Sequence, residues 1–272
     1  MKQISHGGGW SYGSIYNDAN QRTRVNLGDG SYLSYGYDSL GQVTSGKRYW
    51  SDNGPVPGQQ FEYSFDSIGN RTLAKMGGDS SGGNLRQASY SGLNLRNQYG
   101  SRSIPGAVDV MGMANGSASV TVNGQGTYRK NEFYQSLVNV NNTSGGVWQG
   151  VTVSAVLEGA PETRAGNVYV GPASDGFTHD ADGNLLTDGT WSNTWDGENR
   201  LTKIEAKSGV PAGAKRKGEY EYDYLGRRVA KKVYFWDSGS GSYVLGMQRR
   251  FVYDGWNVLV ELDGSTNVLI SP

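Results

Sequence analysis

The stretch Tyr35-Gly-Tyr37-Asp38-Ser-Leu-Gly41 decides the fold, because it recurs along the chain. It returns as Tyr63-Ser-Phe65-Asp66-Ser-Ile-Gly69, Phe177-Thr-His179-Asp180-Ala-Asp-Gly183 and Tyr220-Glu-Tyr222-Asp223-Tyr-Leu-Gly226. Looser copies surround Trp195-Asp196, Tyr253-Asp254 and Tyr16-Asn17-Asp18. We name this unit the cassette. Such repetition is typical of a small supersecondary unit copied in series.

Each cassette predicts a β-hairpin. Aromatic residues at alternate positions, such as Tyr35 and Tyr37, share one face of a strand, where we expect the rings to stack. The Asp that follows and the Gly three residues later form the preferred composition of a type I turn. Asn replaces this Gly at Asn199 and Asn257, because Asn also tolerates left-handed backbone angles. The predicted structural pairs are Tyr37 and Asp38, Phe65 and Asp66, His179 and Asp180, Trp195 and Asp196, Tyr222 and Asp223, and Tyr253 and Asp254.

One interval between cassettes is unusually long. Asp66 and Asp180 are 114 residues apart, whereas Asp38 and Asp66 are 28 residues apart. The excess is large enough for a small domain. Short alternating runs within it, such as Ser117-Ala-Ser-Val-Thr-Val-Asn-Gly, predict a β-sandwich. We therefore predict cassette hairpins and a Gly-, Ser- and Asn-rich linker over 1–101 (the linker or long loop being 77–101), an inserted sandwich over 102–176, and cassette hairpins over 177–272.

The predicted fold class is all-β, with consecutive antiparallel hairpins forming a curved or spiral sheet and a small inserted β-sandwich. The 42 glycines, 18 tyrosines and 7 tryptophans fit a protein with frequent turns and aromatic packing. No window has the apolar spacing of a helix. The cassette pattern continues to the end of the sequence, which predicts a fragment of a longer repeat array. Six or seven hairpins leave open sheet edges, which favour self-association by strand addition.

Composition argues against several classes of function. The 25 basic and 25 acidic residues cancel, which argues against a nucleic-acid partner held by phosphate contacts. The single basic cluster, Lys215-Arg216-Lys217, is predicted to be a solvated hairpin loop. No apolar run approaches the ~20 residues of a membrane-spanning helix. The sequence has no cysteine and only two histidines, His6 and His179, so we predict no metal site and no cofactor.

Two sequence patterns suggest a catalytic serine and a calcium site, and each pattern has a simpler explanation. Gly78-Asp79-Ser80-Ser81-Gly82 matches the G-x-S-x-G pattern of serine hydrolases, which requires a strand before it and a helix after it. Neither element is evident. Asp180-Ala-Asp182-Gly-Asn184 is similar to a calcium loop, but Trp191 occupies the twelfth position, where an EF-hand needs Glu. A turn role for Asp180 explains this second pattern without a metal.

The cassettes resemble the RHS/YD-repeat family. The resemblance rests on Tyr37-Asp38-Ser-Leu-Gly41, Phe65-Asp66-Ser-Ile-Gly-Asn-Arg71, Asp180-Ala-Asp-Gly-Asn-Leu185, Trp195-Asp196-Gly-Glu-Asn-Arg-Leu201, Tyr222-Asp223-Tyr-Leu-Gly-Arg-Arg228 and Arg250-Phe-Val-Tyr-Asp-Gly-Trp-Asn257. It covers 1–78 and 177–270 and implies a β-sheet shell, often enclosing a C-terminal toxic polypeptide, in secreted or surface-associated bacterial proteins. The expected partners are the remainder of the shell or the enclosed polypeptide. The family's self-cleaving core and variable tail are not present in this sequence.

The leading hypothesis is therefore a non-catalytic segment of such a shell. A second hypothesis is a carbohydrate-binding module, since some members of the family have been proposed to bind glycans. Trp148 and Tyr169 are its candidate ligand-binding residues. A third is a hydrolase that uses Ser80 or carboxylates drawn from Glu198, Asp223, Asp254 and Glu261. The sequence does not bring these carboxylates together, so we predict no catalytic residue.

Overall fold

The protein is an all-β chain, as the sequence predicts. The computed structural model describes residues 2–6 and 10–271, with side chains from 13 to 270. Within these residues the only helix is the 3₁₀ turn Ala212–Ala214, and no helix is long and apolar enough to cross a membrane. The chain forms two compact units. The first contains the strands before Gly92, Arg102–Asn141 and Gln149–Val168, and the second contains Leu93–Ser101, Asn142–Trp148 and the chain from Tyr169 onward.

The first unit begins with a meander of antiparallel strands. Each of the eight strands pairs with its neighbours in chain order. They are β1 (Lys2–His6), β2 (Trp10–Tyr16), β3 (Arg22–Asn26), β4 (Tyr32–Tyr37), β5 (Val43–Tyr49), β6 (Pro55–Phe65), β7 (Arg71–Gly77) and β8 (Leu85–Ser91). The linker predicted over 77–101 is therefore wrong. Gly78, Gly82 and Gly83 lie between β7 and β8, and residues 85–89 of β8 pair with residues 73–77 of β7.

The inserted segment forms two small sheets. Their order is β10-β14-β13 in one and β12-β11-β15-β16 in the other. The strands of this part of the chain are β9 (Ser101–Ser103), β10 (Ala107–Met113), β11 (Ser119–Val122), β12 (Gln125–Gly126), β13 (Tyr128–Lys130), β14 (Phe133–Asn139), β15 (Val147–Leu157), β16 (Ala160–Val170) and β17 (Ser174–Gly176). The predicted turn at Asn123-Gly124 is present, with φ of 49° and 76°. The division at 101/102 and 176/177 stays a prediction.

The second unit contains another meander in chain order, again antiparallel throughout. Its strands are β18 (Thr178–His179), β19 (Leu185–Thr187), β20 (Trp191–Trp195), β21 (Leu201–Ala206), β22 (Arg216–Tyr222), β23 (Arg228–Asp237), β24 (Ser242–Asp254), β25 (Asn257–Asp263) and β26 (Leu269–Ser271). The hairpin loop predicted at Lys215-Arg216-Lys217 is wrong, because Arg216 and Lys217 open β22. Their cations lie over Phe235 at 4.7 Å and Tyr234 at 4.0 Å, and those contacts favour a strand over a solvated loop.

Small residues and polar groups occupy the most buried positions. The buried apolar residues are valines and alanines, namely Val25, Val56, Ala74, Ala88, Ala118, Val120, Val122, Val140, Val170, Ala206, Val210 and Ala230. All six residues of β4 are only half-buried. Gln60 is 1% exposed, and its side-chain amide donates to the carbonyls of Arg48 and Val56 at 2.7 and 3.0 Å. These bonds remove the cost of burying the Gln60 amide.

Within the first unit, the three-stranded sheet of the insertion is fixed to the meander by polar and aromatic contacts. Arg86 on β8 pairs with Asp109 on β10, and Gln135 donates to the same carboxylate at 2.8 Å. Trp50 and Phe133 meet edge to face with ring centroids 5.3 Å apart. The Arg86 and Asp109 side chains are only 16% and 9% exposed, so losing either partner leaves a largely buried charge.

Turn conformation gives a prediction at Gly226, where φ is +78° and an added Cβ meets no atom within 4 Å. Only backbone strain should therefore distinguish substitutions at this site. We expect Gly226→Val to lower the free energy of unfolding by about 1–3 kcal/mol, because β-branched residues resist positive φ. Gly226→Asn is the matched control and should cost about 0.5 kcal/mol or less, since Asn accepts this region. Urea denaturation measures both, and equal losses would contradict the strain argument.

Candidate functional site

Among the residues that the structure describes, ten hairpin turns share one backbone geometry. If the first turn residue is position 1, its N–H donates to the carbonyl of position 5, and the N–H of position 4 donates back to the carbonyl of position 1. Position 4 always has positive φ. This is a type I turn closed by a left-handed residue, a common three-residue hairpin loop. The turns are 17–21, 27–31, 38–42, 50–54, 66–70, 79–83, 94–98, 180–184, 196–200 and 223–227.

An Asp or Asn side chain closes eight of these turns from the inside. In the turn at Asp223, Oδ1 accepts the backbone N–H groups of Leu225 at 3.0 Å and Arg227 at 2.9 Å. The same oxygen accepts the N–H of position 5 in all eight, whose first residues are Asn17, Asp38, Asp66, Asp79, Asn94, Asp180, Asp196 and Asp223. These N–H groups point into the loop, so the side chain supplies the partner that the ladder cannot.

Position 5 completes the turn with its own side chain. It donates to Oδ2 of the Asp, at 3.0 Å from Gln42, Asn70 and Asn184 and at 2.8 Å from Arg200 and Arg227. In the turns that begin with Asn17 and Asn94, the Asn amide donates instead to Gln21 and Gln98, at 2.7 Å in both. The side chains at positions 1 and 5 thus exchange donor and acceptor roles, and the hydrogen bond between them is kept. Position 5 is therefore an amide or guanidinium in seven of the eight turns, whereas Gly83 occupies it after Asp79.

These hydrogen bonds lower the pKa of several turn carboxyls. Amide donation from Asn70 and Asn184 is the main cause of the lowered pKa of Asp66 and Asp180. Burial acts to raise the pKa of Asp223, but the backbone and guanidinium of Arg227 outweigh it and the pKa is lowered. The pKa of Asp79 is lowered to about 2, and the hydrogen bond from the Ser81 hydroxyl is the largest cause, followed by the one from Asn84. The charged form of each carboxyl is thus the form that the folded turn binds.

In the second unit, consecutive cassette turns are bonded to one another. Gln98 donates to the carbonyl of Gly183 at 3.2 Å, and Asn184 donates to Asn199 Oδ1 at 2.7 Å. Arg200 donates to the carbonyl of Asp223 at 3.2 Å, and Arg227 donates to the carbonyl of Gly255. Position 5 of one turn therefore reaches the next turn in four successive steps. We name this set of turns, from 94–98 to Asp254–Asn257, the turn column.

The second aromatic of a cassette bonds the preceding cassette hairpin. Each donates to the carbonyl of the residue just after that hairpin's turn: Tyr222 to Leu201 at 2.9 Å, Tyr253 to Arg228 at 2.8 Å, Trp195 to Leu185 at 2.9 Å, and Tyr37 to Arg22 at 2.7 Å. The strand register shifts at every one of these aromatics. Such bulges leave backbone groups without ladder partners, and a ring hydroxyl or indole N–H satisfies one of them.

Arginine cations cover several cassette rings. The guanidinium carbon of Arg200 lies 5.3 Å from the Tyr222 ring centre, and that of Arg227 lies 5.2 Å from the Tyr253 ring centre. Arg71 lies 4.8 Å from Tyr63 in the same manner. Arg200 and Arg227 are also the residues that bond their own turn aspartates. One arginine therefore links its own turn, the next turn and the next cassette ring, so these rings contact cations as well as the sheet.

Not every predicted pair follows this pattern. Phe65 has no donor at its tip, and His179 is half-buried beside Asn94 and Asp180. Asp254 lies opposite Asn257 in a two-residue hairpin loop, so it does not take position 1 of the ten-turn geometry. At the N-terminal cassette, Asn17 takes position 1, and the assignment of Asp18 as the turn Asp is wrong. The side chain of His6 lies outside the described residues.

Of the eight turns closed by Asp or Asn, sequence reasoning missed two, and it missed one position that these turns share. Asp79 begins a turn that contains Ser80, so the G-x-S-x-G stretch connects two antiparallel strands, and no helix follows it. This contradicts the strand–turn–helix arrangement that the G-x-S-x-G pattern of a serine hydrolase requires. Asn94 begins another turn, which an aromatic-based search overlooks because Leu93 precedes it. The missed position is position 5, where Gln, Asn or Arg recurs directly after the Gly or Asn.

The other candidate residues are placed separately. Trp148 packs against Gly213 and Tyr169 against Gly146, and both aromatic residues are half-buried. Glu198 pairs with Arg200 at 2.7 Å and Glu261 with Arg249 at 2.9 Å. Among the described residues, no group of three or more His, Asp or Glu side chains is arranged to hold a metal ion. The hydrolase carboxylates are thus each engaged with arginine, with the exception of Asp254, for which no such pair is described.

Comparison with known proteins finds partial similarity. No family model matches the chain. It is 29% identical over 124 residues to the tRNA nuclease WapA of Bacillus subtilis strain 168, a match that covers 43% of this chain and 5% of that protein. It is 32% identical over 96 residues to the tRNA(Glu)-specific nuclease WapA of Bacillus subtilis subsp. natto, covering 35% of this chain and 4% of that protein. The chain thus spans about a twentieth of these relatives.

Solved structures show only distant likeness. The crystal structure of TcdB2-TccC3-TEV covers 96% of this chain with a TM-score of 0.36 and 12% identity, and this chain covers 13% of it. The structure of TcdB2-TccC3-Cdc42 covers 96% with a TM-score of 0.34, also at 12% identity, and this chain covers 16% of it.

The ring hydroxyl of Tyr222 gives a prediction about the bonding between cassettes. Tyr222→Phe removes the donor to the Leu201 carbonyl and leaves the ring, so we expect the free energy of unfolding to fall by about 1 kcal/mol. Tyr224→Phe is the control, because Tyr224 is 90% exposed in the adjacent turn and should change stability by about 0.5 kcal/mol or less. Chemical denaturation compares the two variants. Equal effects would contradict a structural role for the Tyr222 hydroxyl.

The low pKa of Asp79 predicts acid sensitivity. Its folded pKa of about 2 lies below the ordinary 3.8, so its contribution to stability is present above about pH 4 and is lost as the pH falls toward 2. Asp79→Asn keeps an acceptor oxygen and cannot titrate, so the melting temperature of this variant should fall less steeply across that range. Ser80→Ala leaves the carboxylate in place and should follow the wild-type curve. Parallel curves for all three proteins would remove Asp79 from the acid response.

Proposed function

We propose that this chain is a non-catalytic wall segment of an RHS/YD-repeat shell in a secreted or cell-surface bacterial protein. Its partners would be neighbouring repeats of the same shell and a polypeptide enclosed by it. The cassette resemblance supports the family assignment, and the all-β meanders fit a wall. The mechanism is structural: the chain holds a stable sheet, and the sheet separates an interior from the solvent.

The turn column is the observation that carries this proposal. The carboxylates of Asp180, Asp196 and Asp223 are engaged with their own turns, and the side chains at position 5 also reach the next turn. The bonds connect neighbours in sequence order, from Gln98 through Asn184 and Arg200 to Arg227. Stability in such an array is a sum of local units and nearest-neighbour contacts, which is how extended repeat walls are built. A catalytic site would instead require some of these groups to face a shared cleft.

The partial matches to WapA are consistent with a wall segment of a much larger protein. Both curated relatives are named as tRNA nucleases, and the matched region is 5% or less of their length. We assign any activity of the whole protein to a part of it other than this segment. Carbohydrate binding through Trp148 and Tyr169 stays a prediction, and no contact made by these two rings favours it.

The experiment that tests the proposal uses the protein encoded by the complete native reading frame. Cryo-electron microscopy should show this segment within a continuous wall, with the turn column extended by cassettes that flank it. Limited proteolysis should leave an enclosed polypeptide intact in the native protein. In a variant that carries Asp196→Ala and Asp223→Ala, which remove two neighbouring turn carboxylates, that polypeptide should be cleaved earlier.

A Tyr224→Phe protein serves as the control for this experiment, because it changes the same turn without removing a hydrogen bond described in the structure. A reading frame that lacks further cassettes would contradict the proposal. A solvent-exposed tail that proteases remove equally fast from all three proteins would contradict it as well.

A further inference from the structure

The two sheets of the insertion share one corner and separate from it. Thr127 alone divides β12 from β13, and its hydroxyl donates to the carbonyl of Val120 at 3.0 Å. One run of chain therefore passes from the four-stranded sheet into the three-stranded sheet. Counting away from this corner, the last strands are β10 in one sheet and β16 in the other. The pair of sheets is closed at one side and open between β10 and β16.

Both strands at the open side are terminal strands of their sheets. A terminal strand presents a row of backbone N–H and C=O groups on the side where no neighbouring strand lies. Residues 160–167 of β16 are exposed at every position. Pro161 lacks an N–H and marks the start of this edge, a common position for proline in edge strands. The stretch from Glu162 to Val168 is thus the part of β16 that is able to pair.

Two neighbouring apolar depressions lie between these two edges, and their linings share Val153 and Arg164; we name them together the groove. Near Val108 and Val110 of β10 it is an open depression of about 400 Å³, with Val151 and Val153 from β15 and Val168 from β16 in its lining. Toward Leu157 it widens into a cavity of about 790 Å³, lined also by Met113, Ala118 and Tyr134. The walls are mainly aliphatic, although the rim is polar. The groove therefore offers solvent-accessible apolar surface between two rows of backbone hydrogen-bonding groups.

The neighbouring strands show which side chains this interior accepts. Val120 and Val122 of β11 are 4% and 1% exposed, and the residues that alternate with them are Ser119 and Thr121. Alternating valines also line the groove from β10 and β15. Because side chains alternate across a strand, these sheets use valine inward and a small polar residue outward. A strand that filled the groove would match this alternation.

We propose that the groove between β10 and β16 binds an extended segment of another polypeptide, which adds as a strand. Main-chain hydrogen bonds to the two edges would provide affinity, and alternating valine-sized side chains would provide specificity. The proposal goes beyond the wall function, because it gives the insertion a partner of its own.

The rim charges favour a polypeptide without net negative charge over an anionic ligand. Arg164 pairs with Glu162 at 2.7 Å, and the two side chains are 80% and 70% exposed. Glu158 adds one further carboxylate at the wide end. This rim has no cationic surplus that would select a phosphate or another polyanion. Two rows of backbone donors and acceptors, by contrast, are matched by an extended peptide backbone.

The test uses the full chain and a capped fluorescent peptide of sequence Ser-Ala-Ser-Val-Thr-Val-Asn-Gly, copied from residues 117–124. Fluorescence anisotropy should show saturable binding, weakened about tenfold or more by N-methylation of both valines, because each lost hydrogen bond matters. Hydrogen exchange should slow in β10 and β16 when the peptide binds. Protection in β11 should stay unchanged.

Gly166 offers a variant that blocks the groove without disturbing the fold. It lines the groove, its φ is not positive, and an added Cβ meets nothing within 4 Å. Gly166→Trp should weaken peptide binding about tenfold or more by filling the space. Gly126→Trp on β12 is the matched control, since Gly126 also has open space and is not in the groove lining. This control should bind within about twofold of wild type.

Four outcomes would overturn the proposal. The first is absence of saturable binding, and the second is binding that tolerates both N-methylation and Gly166→Trp. The third is faster exchange in β11, which would indicate that the peptide replaces that strand. The fourth is a dimer of the chain, seen by light scattering and removed by Gly166→Trp, because that result would assign the groove to a second copy.

Discussion

The hydrogen bonds from the turn backbone to the Asp or Asn side chain at position 1 are the constraint on which the rest of this structure depends. A three-residue loop directs the N–H groups of positions 3 and 5 inward, where no strand is available to accept them. In the turn at Asp223 one carboxylate oxygen accepts both. A loop closed in this manner fixes the pairing of its two strands. Register matters because a slip of one residue would move every side chain to the opposite face.

Once the register is fixed, the contacts between hairpins follow from geometry. Each turn is accompanied by a bulge at the second aromatic residue of its own cassette, as at Tyr222. The donor on that ring then reaches the preceding hairpin, where it bonds the carbonyl of the residue just after the turn, as Tyr222 bonds Leu201. Position 5 then extends along the sheet edge to the next turn, as Arg200 reaches Asp223. Neither contact would form if the turn varied in length. Asp or Asn recurs at position 1, Gly or Asn at position 4, and an amide or guanidinium residue at position 5. All three positions thus serve one structural requirement, the closed turn.

The two edges of the first meander have different tasks. Alternate turns of a meander lie at opposite edges, so the turns at Leu27, Trp50 and Asp79 share one edge, and none of these three turns belongs to a cassette. At the second of these, Asp52 accepts the N–H of Gly54 at 3.0 Å and also pairs with Lys130 of the insertion at 2.5 Å. The insertion thus attaches at the edge without cassettes. In the second unit, Gln98 bonds Gly183 across 85 residues of sequence, so the turn column is continuous in spite of the insertion.

How much of this fold the sequence predicts depends on how far apart in the sequence the interacting residues lie. Asp38 and Gly41 predict their turn because the constraint is local, and the all-β fold follows from its repetition. The turn at Asn94 was missed because Asn replaces Asp and no aromatic residue precedes it, although Gln98 at position 5 was available as a signal. The contact between Arg86 and Asp109 joins residues 23 positions apart through tertiary packing alone. No local pattern encodes such a pair, because either side chain would be equally acceptable on an exposed strand.

These observations explain how a chain with only 36% hydrophobic residues keeps a regular fold. The buried apolar residues are mostly valine and alanine, so apolar burial per strand is modest. The remaining order comes from hydrogen bonds and cation–ring contacts between sequence neighbours, repeated at each cassette. Because each hairpin depends mainly on the hairpins beside it, a segment inserted between two cassettes disturbs only one junction. Because Gln98 donates a hydrogen bond to the carbonyl of Gly183 across that junction, the array accommodates the inserted β-module without losing its register.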